Sequence, residues 1–260
     1  MKQLLTIGRR ATAVTLVENR FPMKAKQFKA VLAGGLVLAA AAGAMRAAET
    51  EGVALAVVYD TSGSMKETVT DSTGRKSPKY LIANRALDGI TRQLQAFITN
   101  TTAGPRQVSA ALIVFANEGA REAVPFGPFD AAAFQNWGRT FKQPDGGTPL
   151  GRALTKASEV VLASSLPRKH VLIITDGMNT IGPDPASVLP GIRQKAAQKG
   201  AAVSVHFVAF DVDAKEFAGV KKLEANVVSA ANESQLNTQL QFILQKKILL
   251  EDEEPPTKSK

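Results

Sequence analysis

The chain has 260 residues, 45% of them hydrophobic and 21% charged, with a formal net charge of +9; this is the composition of a globular protein with room for one substantial domain plus extensions. It has no cysteine, which excludes disulfides and thiolate metal sites. The basicity does not indicate nucleic-acid binding: the first 44 residues carry a net +6 and the other 216 only +3, and no Lys/Arg stripe with interleaved aromatics appears in the body.

The N-terminus reads as an export signal. Residues 23–44 have the layout of a secretory signal peptide: a basic start at Met23-Lys24-Ala25-Lys26, an uncharged run from Ala30 to Ala44, and a small-x-small site at Ala42-Gly43-Ala44. The run is shorter than the ~20 apolar residues of a membrane span, although an uncleaved anchor remains the alternative if it extends to Ala48. Residues 1–22 then read as an upstream extension or a mis-called start, with translation beginning at Met23. The expected location is periplasmic or secreted.

From Gly52 onward, apolar runs alternate with amphipathic stretches, the mark of βαβ units. Strands are expected at Val53–Tyr59, Val108–Ala116, Arg121–Phe126, His170–Thr175, Ala202–Phe210 and Asn226–Ser229. Helices are expected from Pro78 to Thr99, Asp130 to Phe141, Pro149 to Ser164, 186 to 199 with an interruption near Pro190, Ala214 to Leu223, and Glu233 to Leu249. The strong strands lack clean alternation, as when helices cover both sheet faces. The fold class is therefore α/β, a single doubly wound, mainly parallel sheet flanked by helices, over residues 51–249. Residues 65–77 read as a long polar loop, and 250–260 as a charged, disordered tail.

Three short segments carry the chemistry. Asp60-Thr61-Ser62-Gly63-Ser64 follows the first apolar strand, Gly146-Gly147-Thr148-Pro149 precedes a helix, and Thr175-Asp176-Gly177 ends another strand. Together they supply five hard oxygen side chains at loop positions. Such donors suit Mg²⁺ or Mn²⁺ and give zinc or copper little reason to bind. Loops at the carboxyl ends of neighbouring parallel strands converge where strand order reverses. Gly63, Gly146, Gly147 and Gly177 are expected to clear side chains from that approach.

Taken in order, these segments resemble the von Willebrand factor type A (VWA) domain over roughly residues 52 to 249. The resemblance implies a metal-ion-dependent adhesion site with Asp60, Ser62, Ser64, Thr148 and Asp176 around Mg²⁺, with Mn²⁺ or Ca²⁺ able to take the same place. It also implies a protein partner that supplies a Glu or Asp to the metal. Two carboxylates offset a dication, and a six-coordinate ion held by these groups keeps a position open.

The resulting expectation is an exported, metal-dependent protein-binding domain that is not an enzyme. One alternative is a metal-assisted hydrolase; another is a partner subunit of a chelatase-like ATP-driven complex, which the export segment counts against. His170 and His206 lie within apolar runs and read as packed imidazoles, not as catalytic bases. Trp137 and Phe141 either pack at the domain edge or join Lys66 and Gly147 on a partner-binding rim. Lys66, Arg75, Lys76 and Lys79 flank the metal loop and read as solvated, with steering of an acidic partner as the alternative.

Overall fold

The computed structural model describes residues 52–100, 106–116 and 119–249. The expected extension (1–22), signal peptide (23–44) and tail (250–260) lie outside the described residues. Among the described residues, no helix is long and apolar enough to cross a membrane.

Six strands form the main sheet. They are β1 (Gly52–Asp60), β4 (Gln107–Ala116), β5 (Gly119–Pro128), β6 (Arg168–Thr175), β7 (Ser204–Phe210) and β8 (Asn226–Ala230). The order across the sheet is β5-β4-β1-β6-β7-β8. Only β5 is antiparallel to its neighbour. The chain leaves β1 toward β4 and later returns on the other side as β6, so strand order reverses at β1. The carboxyl ends of β1 and β6 flank the crevice that this reversal creates.

Both sheet faces are covered, which explains why β1 is buried along its whole length. Val53, Leu55, Val57 and Tyr59 face one core with α1 (Lys79–Thr99), α2 (Ala131–Thr140) and α6 (Glu233–Ile243). Ala54, Ala56 and Val58 face the other core with α3 (Leu150–Leu162) and α4 (Pro185–Gln198). Small residues on that second face let α3 come close through Ala153 and Ala157. In α1, Ile82, Ala83, Ala86, Leu87, Ile90 and Leu94 recur at helical spacing and are all buried.

Several expected boundaries shift. Residues 65–77 are not a loop: a short 3-10 turn (Gly63–Lys66) leads into an antiparallel hairpin of β2 (Thr68–Thr70) and β3 (Lys76–Pro78). The Asp71 carboxylate organises the turn, accepting from Thr73 N, Thr73 Oγ1, Arg75 N and Ser77 Oγ. Those bonds, that from Thr73 Oγ1 foremost, hold its pKa well below the usual carboxylate range. Pro78 ends β3 and serves as the N-cap of α1, so the helix starts one residue later than expected. Helix α4 runs unbroken through Pro190, which lies on its exposed face. The segment from Ala214 divides into a 3-10 turn (Ala214–Phe217) and α5 (Ala218–Lys222), and the last helix ends in a π turn (Leu244–Leu249).

Candidate metal centre

Asp60 is the last residue of β1 and is fully buried. Its Oδ1 accepts from Ser62 N at 2.8 Å, closing a tight turn. Its Oδ2 accepts the hydroxyl of Thr175, the last residue of β6, at 2.6 Å. The register explains this contact, since Tyr59 pairs with Ile174 and Asp60 and Thr175 lie one step beyond. The Ser62–Ser64 turn is held to the Thr148 loop by Gly63 N donating to Gly146 O at 3.0 Å and Asp145 N to Thr61 O at 2.8 Å. The Thr148 loop is held to the segment after Asp176 by two further bonds. Thr148 N donates to Thr180 Oγ1 at 2.8 Å, and Thr180 N returns to Thr148 O at 3.0 Å.

These ties bring the side-chain oxygens of Ser62, Ser64 and Asp176 into contact, with Asp60 and Thr148 on the adjoining segments. Ser62 Oγ is 3.1 Å from Ser64 Oγ, and Ser64 Oγ donates to Asp176 Oδ1 at 2.8 Å. A Cβ placed on Gly177 would lie 3.8 Å from Thr148 Oγ1 and 3.9 Å from Ser64 Oγ, so those two hydroxyls are at most 7.7 Å apart. Gly146 needs its glycine for a φ of 78°, and at Gly147 a Cβ would meet Ile181 Cδ1 at 2.5 Å. Gly63 and Gly177 do not have the clearing role expected of them: a Cβ at either makes only ordinary contacts, the nearest at 3.6 Å and 3.8 Å respectively.

The electrostatics show an imbalance. Burial, reinforced by the charge of Asp176, pushes Asp60 up to about 6, against the pull of Ser62 and Thr175. Burial also raises Asp176, against Ser64 and Lys79. Two buried carboxylates therefore share a small space and resist ionising together. Asp176 Oδ2 is buried, and although no well-aligned hydrogen bond reaches it among the described residues, the Lys79 ammonium lies 3.2 Å away. A hard dication would relieve the repulsion between the two carboxylates, and the donors are all oxygens, so the residues fit Mg²⁺ or Mn²⁺. Nothing favours a nitrogen- or sulfur-rich site instead: among the described residues no three His, Cys, Asp or Glu side chains gather as metal ligands.

The remaining candidates are distributed as follows. Lys66 is exposed at the end of the 3-10 turn. Trp137 stacks on Phe141 at 5.0 Å and meets the Tyr59 ring edge-on at 4.9 Å, so it packs beneath the strand that carries Asp60. His170 and His206 stack on each other at 5.6 Å. Burial pulls them down to about 3 and about 4, so both are neutral. Lys79 is not the solvated lysine expected from its neighbours. It is only 3% exposed, and its Nζ lies 3.2 Å from Asp176 Oδ2. Thr175, which fixes Asp60, is not marked as a site residue by the sequence pattern. Its position beside Asp60 depends on strand adjacency, which no local motif encodes.

The profile of the von Willebrand factor type A domain matches residues 54–241. The chain belongs to the VWA domain family. No curated protein matches it in sequence, whereas solved structures do match its fold. The vWF domain of the type V pili tip protein Mfa5 from Porphyromonas gingivalis aligns with a TM-score of 0.57 at 14% identity, covering 75% of this chain and 95% of that one. The PilB minor pilin from Streptococcus sanguinis gives 0.55 at 16% identity, covering 75% and 60%. The pilus adhesin SpaC from Lactobacillus rhamnosus GG gives 0.54 at 15%, covering 74% of this chain and 30% of SpaC. This VWA chain thus spans less than two thirds of PilB and under a third of SpaC. At these identities the likeness is one of fold. The mainly parallel six-stranded sheet with helices on both faces is the VWA arrangement.

Proposed function

We propose that this VWA domain is an exported, metal-dependent protein-binding module. Asp60, Ser62, Ser64, Thr148 and Asp176 would hold Mg²⁺, and a partner's Glu or Asp would complete the centre. The observation that carries this reading is the 2.8 Å contact between Ser64 Oγ and Asp176 Oδ1. It joins two of the three segments across 112 residues of sequence. When bound, the ion supplies a strong, geometrically strict attraction for an incoming carboxylate. The chain's own residues prepare for it. Thr175 and Ser62 N fix the Asp60 carboxylate, Gly146 and Gly147 let the Thr148 loop close over, and the Thr148–Thr180 pair locks that loop to the far side.

The same structure favours binding over catalysis. His170 lies near the start of β6 and Asp176 just past its end, six residues or about 20 Å of extended strand away. Both histidines are occupied with packing, so neither serves as a base beside the centre. The adhesin and pilin neighbours fit a role at the cell envelope, as does the basic and apolar segment at 23–44.

The test is capture from an envelope extract by wild type and Thr148→Ala, each with Mg²⁺ and with EDTA. A partner held by wild type in Mg²⁺ and lost in EDTA and in the variant supports the reading. A partner retained in all four conditions contradicts it.

A further inference from the structure

Lys79 opens α1, yet its amino group lies under the candidate centre and not in solvent. Nζ is 2.9 Å from Glu67 Oε2, 3.0 Å from Asp211 Oδ2 and 3.2 Å from Asp176 Oδ2. A lysine at the first position of a helix sits at the unfavourable end of the helix dipole. Burying its charge adds a second penalty unless partners surround it. The helix itself offers no relief, because Pro78 provides no side-chain cap and the first turn has no acidic residue.

Relief comes instead from three carboxylates on three other segments. Glu67 follows the 3-10 turn, Asp176 follows β6 and Asp211 follows β7. Asp211 holds a left-handed backbone with φ 58°, uncommon for a residue with a side chain. Its N–H donates to Ala230 O at 2.8 Å, which pins that conformation while the carboxylate meets Lys79.

Of the three, only Asp176 belongs to the centre. Its Oδ1 receives the Ser64 hydroxyl, and its Oδ2 faces the ammonium. The centre therefore already contains one positive charge, fixed from outside by Glu67 and Asp211. We infer that Lys79 is an internal counter-cation: it stabilises the centre when no metal is bound and weakens the hold on a dication that shares Asp176. This inference rests on the metal reading above. It has two consequences of opposite sign. The metal-free fold is favoured, because one of two electrostatically coupled buried carboxylates is neutralised. Metal affinity is held down, because an ammonium repels a dication across a short, partly buried distance. Such a centre fills and empties with the divalent concentration around it.

The test uses the full chain with Lys79→Met, which keeps an unbranched apolar stem, and Lys79→Arg, which keeps the charge. Thermal melts in EDTA and calorimetric Mg²⁺ titrations are the readouts. Lys79→Met is expected to melt several degrees lower in EDTA while binding Mg²⁺ about tenfold tighter or more. Lys79→Arg is expected to stay within about threefold of wild-type affinity. Packing damage alone would weaken both stability and binding, so the opposed signs identify the charge effect. Lys79→Gln carries the same expectation if Lys79→Met does not fold in EDTA. A neutral variant that binds Mg²⁺ no tighter than a Mg²⁺-binding wild type overturns this inference and leaves the metal reading standing. A wild type that binds no Mg²⁺ overturns both.

Discussion

Thr175 donates its hydroxyl to Asp60 Oδ2 at 2.6 Å in the middle of the sheet, joining residues 115 positions apart. The bond is buried and charge-assisted, and it orients the carboxylate that anchors the candidate centre. Thr175→Val keeps a β-branched shape that suits a strand but leaves Asp60 Oδ2 without its donor. The expected cost is about 2 kcal/mol in EDTA, read from the urea midpoint. An unchanged midpoint contradicts the assigned role.

Much of this VWA fold was legible in the sequence because its strands are buried on both faces. An uninterrupted apolar run such as Val53–Tyr59, set among amphipathic segments, is what a strand covered on both sides requires. The three polar segments were legible for a different reason: oxygen side chains and glycines at strand ends stand out against apolar runs. The rest depends on partners far away in sequence. Lys79 looked like one of several loop lysines because Asp176 and Asp211 lie about 100 or more residues downstream. The β2–β3 hairpin escaped because it has only one buried side chain, Val69, and is organised by Asp71. Pro190 pointed to a break in α4, yet the helix continues through it with the proline on the exposed face.

The stacked histidines make stability depend on pH. In the fold His170 and His206 stay neutral until about 3 and about 4, whereas an unfolded histidine protonates near 6.5. Between those values the unfolded chain binds more protons, so stability falls as pH drops from 6.5 toward 4. The loss approaches about 1.4 kcal/mol per histidine per pH unit. Asp60 works in the opposite direction over part of the window, because its raised value of about 6 makes the folded state hold a proton that the unfolded state releases. His206→Gln removes one of the two histidine contributions. Urea midpoints at pH 7.5 and 5.0 are expected to differ less in the variant than in wild type. An equal or larger difference contradicts the assignment.

Two glycines separate backbone crowding from side-chain crowding. A Cβ on Gly151 would lie 2.0 Å from the backbone oxygen of Pro183, whereas one on Gly147 would meet side-chain atoms alone, Ile181 Cδ1 at 2.5 Å, Ile181 Cγ1 at 2.9 Å and Thr180 Oγ1 at 3.0 Å. Gly151→Ala is expected to cost about 3 kcal/mol or more, and Gly147→Ala about 1 kcal/mol, both read from denaturant melts. Equal costs would mean that α3 and the Pro183 segment separate freely, against the close packing described.

Asp60→Asn removes one of two electrostatically coupled buried carboxylates and keeps an acceptor for Ser62 N. In EDTA the variant is expected to be at least as stable as wild type, since the like-charge repulsion disappears. With Mg²⁺ it is expected to lose the thermal upshift that wild type gains by mass action. A Mg²⁺ upshift as large in the variant as in wild type places the ion elsewhere.

The central claim is that Asp60, Ser62, Ser64, Thr148 and Asp176 surround one hard dication. Anomalous diffraction from crystals of the wild-type chain grown in Mn²⁺ tests it directly. The expected result is one strong peak within about 2.0–2.3 Å of hydroxyl oxygens from Ser62, Ser64 or Thr148, lost in Asp60→Asn crystals. A fully occupied Mn²⁺ peak at another place, with none between these three segments, contradicts the account.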